Sequence, residues 1–167
     1  MRPARGVLTV LALAVGAALG SASTGAQSTE AGLLVSATVT RSCQLEAGPL
    51  TFGSYDPVSN NATIPLDGET ILTVTCTKGT PAAIALGNGA NESGGVRFMK
   101  SGGDSLGYAL FQDAARGQPW GDQTGNMLTL APSNGDPQSI YVYGRIPPNQ
   151  DVPIGSYTDS IVATVHF

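Results

Sequence analysis

The sequence predicts an all-β fold, a sandwich or a barrel, and three observations carry that expectation. Apolar residues alternate with polar ones in short runs, the period of half-buried strands. Gly and Pro are frequent, 22 and 11 in 167 residues, and turn signals recur at intervals of about ten residues, as in sandwiches and barrels. No stretch of the chain after its first twenty-odd residues carries a sustained helical period of apolar positions.

The first 26 residues read as an export signal. Arg2 and Arg5 form a positive start, Val7 to Leu19 an apolar run, and Thr24-Gly25-Ala26 a small-residue cleavage site. The apolar run is shorter than the roughly 20 residues that span a bilayer, so cleavage after Ala26 is expected rather than anchoring. The remaining 141 residues suit one domain and contain no further segment apolar enough to cross a membrane. They carry 6 basic against 12 acidic residues, with both signs scattered. A nucleic-acid partner is therefore not expected, because it would need a basic patch with interleaved aromatics.

Strands are expected over residues 33–41, 49–53, 62–66, 69–77, 81–87, 95–100, 106–112, 127–131, 138–146 and 157–167. In the first of these Leu33, Val35, Ala37 and Val39 share one face. In the fourth, Leu72, Val74 and Cys76 oppose Ile71, Thr73 and Thr75, and the apolar trio is expected to point inward. Asp67-Gly-Glu69 reads as a tight turn before that strand, lacking the spacing of a calcium loop. Asn88-Gly89 and Asn134-Gly135 suit turns that need positive φ. Gly94-Gly95 and Gly102-Gly103 bracket a short strand read as an exposed excursion. Asp113 and Arg116 are spaced to pair within a capped turn. Trp120, in the loop Gly117–Gly121, is expected to fold over the core edge. Pro147-Pro148, Pro153 and Gly155 force a non-helical crossing before the last strand. There Ile161, Ala163, Val165 and Phe167 alternate with Val162, Thr164 and His166.

Cys43 and Cys76 are the only cysteines, 33 positions apart in an exported chain, so a disulfide is expected. Metal ligation would lack partners, with a single histidine in the sequence. No catalytic residues, cofactor or metal site are expected. His166 stands on the solvent face without a nucleophile or carboxylate placed by motif, and no GxSxG, HExxH or phosphate-binding loop is present. Asn61-Ala-Thr63 and Asn91-Glu-Ser93 match the glycosylation triplet by composition alone.

Six segments in order carry a resemblance: Ser42-Cys43, Leu50–Gly53, Leu72–Cys76, Tyr108–Arg116, Tyr143–Pro147 and Gly155–Phe167. Together they resemble the spore coat protein U domain family, which includes the major pilins of archaic, Csu-type chaperone–usher fimbriae. The resemblance implies an incomplete immunoglobulin-like β-sandwich lacking its final strand, completed by donor-strand exchange. It implies as partners a periplasmic chaperone, an outer-membrane usher and neighbouring pilin subunits, and a place in a cell-surface pilus that supports adhesion and biofilm formation. It divides the mature chain into a donor segment, 27–40, and a sandwich domain, 41–167. The donor role falls on Leu33, Val35, Ala37 and Val39, and the acceptor or chaperone-binding edge on Ile161, Ala163, Val165 and Phe167, with the C-terminal carboxylate as an anchor for chaperone basic residues. The alternative is a self-contained secreted coat protein of the same domain type.

Overall fold

In the computed structural model, residues 25–167 are described; the expected export signal lies, except for Gly25 and Ala26, outside them. Among the described residues, eight strands account for the regular structure, with one short 3-10 turn at Asn60–Ala62. The strands are β1 (Cys43–Ala47), β2 (Leu66–Cys76), β3 (Ala82–Leu86), β4 (Arg97–Ser101), β5 (Asp104–Phe111), β6 (Leu128–Leu130), β7 (Gln138–Ile146) and β8 (Ala163–His166). They form a five-stranded sheet in the order β1-β2-β7-β5-β4 and a three-stranded sheet in the order β6-β3-β8. Every strand pair is antiparallel.

Period-two alternation sets the register. In β2, Leu72, Val74 and Cys76 are buried, while Ile71 on the other face is exposed. In β7, Val142 and Ile146 are buried on the same side, and Leu72 lies opposite Ile140. A one-residue slip would turn both rows to solvent, so burial fixes the pairing. Ile84 and Leu86 of β3 and Leu106, Tyr108 and Leu110 of β5 complete the core between the sheets. Trp120 is expected at the core's margin but lies within it, 1% exposed. Its indole N–H donates to the Ile84 carbonyl at 2.8 Å, which satisfies the polar end of a buried ring.

Cys43 and Cys76 are disulfide-bonded and occupy directly opposed positions on β1 and β2, as the cysteine count led us to expect. The strand expected over 33–41 is absent: residues 25–42 carry no regular structure. The first strand of the sheet is instead β1, immediately after that segment. Residues 49–53 also form no strand. Gly48 N–H still reaches the Ile71 carbonyl at 3.1 Å, but Pro49 has no amide to continue the ladder, and Gly53 turns the chain at φ +85°.

Three further expectations are corrected. Asp67-Gly-Glu69 is part of β2, not a turn, and Asp67 faces Arg145 across the strand pair. The segment between the glycine pairs is the edge strand β4, hairpinned to β5 through Gly102 at φ +61°, and its Arg97 is buried. The Arg116 side chain does not pair with Asp113, although its amide donates to the Asp113 carbonyl at 3.0 Å and closes the turn. Asp113 accepts the amides of Gln118 and Gly117, which hold its carboxyl below the usual range, whereas Arg116 reaches Asp67 at 3.2 Å.

Candidate functional site

Between the two sheets runs a cleft of about 1030 Å³. Its floor is the core itself, including Leu72, Leu86, Leu106, Leu110, Val142 and Ile146. One wall is Ala47, at the end of β1, with the irregular segment 48–57 that follows it, and the other is the segment 152–161 that leads into β8. A cleft floored by residues of both sheets is what a sandwich leaves where a strand is lacking. The topology gives the same result. β8 pairs with β3 along one edge, and among the described residues no strand pairs with its other edge. Such an edge presents a row of backbone donors and acceptors able to take another strand.

Polar clasps set the first wall. The Tyr55 hydroxyl donates to the Pro147 carbonyl at 3.0 Å and accepts the Gln150 amide at 3.0 Å. Asn61 is buried; its Oδ1 accepts the Asp56 amide at 2.8 Å and its Nδ2 donates to the Ile64 carbonyl at 3.0 Å. The Asn61 triplet is thus a structural feature, with both amide atoms engaged inside the protein.

The second wall crosses from one sheet to the other. Thr158 exchanges backbone hydrogen bonds with Lys100 of β4, at 2.9 and 3.1 Å. The Ser160 and Val162 carbonyls then accept the amides of Ala90 and Gly87, beyond β3, at 3.0 and 2.9 Å. Between these points Asp159 accepts the Tyr108 hydroxyl at 2.7 Å and both the backbone and side-chain N–H of Asn91. Burial, followed by this bond to Asp159, pushes the Tyr108 hydroxyl well above its ordinary value. Nearby, Arg97 donates to the carbonyls of Gly87, Leu86 and Trp120 at 2.8–2.9 Å. Its burial lowers the guanidinium's pKa, and its bonds satisfy two acceptors where the chain leaves β3 and a third at Trp120.

Of the residues singled out in the sequence, Ile161 and Ala163 line the cleft, and Val165 packs half-buried against the same core. Phe167 lies beyond the end of β8 and is 53% exposed, because the ladder with β3 stops at His166. His166 is exposed, as its position in the alternation indicates. Leu33, Val35 and Val39 are 82–87% exposed, and Ala37 is exposed with them. Sequence reasoning missed the first wall as part of the site. The signal was the alternation of Leu50 and Phe52, whose partners the sequence does not name. Among the described residues, no group of three or more His, Cys, Asp or Glu side chains is placed to hold a metal, and no helix is long and apolar enough to cross a membrane.

Residues 29–164 match the family model of the Spore Coat Protein U domain. The chain belongs to that family. It is 38% identical over 130 residues to Protein U of Myxococcus xanthus, covering 72% of each chain. Among solved structures it resembles the CsuC–CsuE chaperone–tip adhesion subunit pre-assembly complex from the archaic chaperone-usher Csu pili of Acinetobacter baumannii. That likeness has a TM-score of 0.54 and 25% identity over 78% of this chain. The chain spans 40% of the length of the solved chain it matches.

Proposed function

We propose that this Spore Coat Protein U domain protein is a structural subunit of a chaperone–usher-type surface fibre, exported by the signal in residues 1–26. The cleft beside β8 accepts an extended strand, first from a periplasmic chaperone and then, at an outer-membrane usher, from residues 27–40 of a neighbouring subunit. The observation that carries this reading is a cleft floored by apolar core residues that reaches Ala163, at the start of a strand with one unpaired edge, in a chain that also carries an exposed alternating segment. In strand addition, backbone hydrogen bonds supply affinity while alternate side chains fill pockets. Burying Leu33, Val35 and Val39, with less from Ala37, contributes about 5–10 kcal/mol before the cost of ordering the segment. The family and the pilus-subunit likeness support an exported, structural protein rather than a catalyst. Adhesion and biofilm formation would follow from the fibre.

The test is a chain lacking residues 27–40, expressed with its chaperone and usher. The expected result is a subunit that still binds the chaperone and forms no fibres; normal fibres would overturn the proposal.

A second reading is a self-contained coat protein of the same domain type, in keeping with the Spore Coat Protein U family model. A stable, chaperone-free monomer that unfolds cooperatively and binds no added strand would support it.

A further inference from the structure

The inner face of the five-stranded sheet has a gap of one glycine pair. Gly68 of β2 and Gly144 of β7 are register partners, both at positions whose alternation points inward with Leu66, Leu72, Val142 and Ile146. Neither has positive φ, so the backbone does not call for glycine at either site. Space does. A methyl group on Gly144 would stand 2.7 Å from Phe52 Cζ and 3.0 Å from Leu50 Cδ1, and one on Gly68 would stand 3.0 Å from Phe52 Cδ1. The Phe52 ring is seated on this pair and meets Tyr108 edge-on, with centroids 6.2 Å apart and planes at 65°. Phe52 and Leu50 also line the cleft, so the ring separates the glycines from the open space.

We infer that Gly68 and Gly144 are positioning residues that recess Phe52 and thereby set how deep a strand can enter the cleft. This deepens the strand-acceptor reading above and rests on it. Side chains at both sites would project away from the sheet, so the ring has one direction in which to yield, toward the cleft. A packed interior resists even one added methylene, and here the displaced group would occupy the incoming strand's place.

The experiment measures association of a labelled synthetic peptide, residues 29–41 of this chain, with the full mature chain, alongside thermal unfolding of each variant. Gly144→Ala is expected to slow or weaken peptide binding by about tenfold or more, and Gly144→Ala with Phe52→Ala to restore most of it. Rescue by shaving the ring separates positioning from a general loss of fold. Should Gly144→Ala fail to fold, Phe52→Trp enlarges the ring on an intact glycine pair and is expected to weaken binding in the same way. Wild-type binding by folded Gly144→Ala, no rescue in the double variant, or wild-type binding by Phe52→Trp overturns the inference while leaving the strand-acceptor reading standing. No peptide binding by the wild-type chain overturns both.

Discussion

The hydroxyl of Tyr108 on β5 donates a 2.7 Å hydrogen bond to Asp159, in the segment leading to β8. A core strand is thereby joined to a wall of the cleft. Asp159 Oδ1 is bonded by Asn91, so its other oxygen depends on Tyr108. Tyr108→Phe is expected to lower stability by about 1.5–3 kcal/mol, the range for a hydrogen bond to a charged group, measured by denaturant unfolding at neutral pH.

The same bond has an alkaline signature. Folding raises the Tyr108 pKa above its ordinary 10.0, so the folded state favours the protonated phenol. The stabilisation is complete below pH 10, where the unfolded chain also keeps the proton, and is lost as pH rises toward the folded value. Melting temperature should fall above pH 10, and the fall should be shallower in Tyr108→Phe. Parallel alkaline limbs would show that another group controls them.

Arg97 is a buried cation whose partners are three backbone carbonyls. Arg97→Ala should cost about 3 kcal/mol or more, since those acceptors lose their donor away from water. Arg97→Lys should recover only part of that, because one ammonium cannot reproduce the fork of a guanidinium. Full recovery in the lysine variant, read from unfolding midpoints, would contradict the geometry.

The disulfide closes a 33-residue separation between adjacent strands. Chain-entropy arithmetic for that loop gives about 3–4 kcal/mol of stability. Cys76→Ser should lower the protein's abundance in the cell envelope and lower the melting temperature, with export unaffected. Unchanged values for both would remove the bridge from the stability of the fold.

If the cleft takes a strand, that strand must stabilise the folded chain by mass action. A peptide of residues 29–41 at about a hundredfold excess over its Kd adds about 2.7 kcal/mol. The melting temperature should climb with peptide concentration, and a scrambled peptide should leave it unchanged.

Much of the sandwich was legible because burial writes itself as period two. Residues 138–146 were expected as a strand and form β7, and the inward row Leu72, Val74, Cys76 stands as read. The sequence was less informative wherever structure depends on a partner. Leu33, Val35, Ala37 and Val39 alternate in the sequence, yet alternation names an apolar face and not an edge to pair with, and residues 25–42 form no strand. Asp67 and Glu69 looked like turn residues because two acids flank a glycine. In the fold the acids sit on the outer face of β2 while the glycine makes room inside for Phe52. Asp113 and Arg116 are near in sequence, but Arg116 has Asp67 within reach and stacks over Tyr143 at 5.7 Å. The cleft's first wall, fixed by Tyr55 to Pro147 and Gln150 some ninety residues away, could not be read locally.

The crossing of residues 157–162 from β4 to the end of β3 has a mechanical consequence. A tensile load applied along β8 passes into Thr158, bonded to one sheet, and into Ser160 and Val162, bonded beside the other. Load carried through this crossing is therefore divided between bonds to the two sheets.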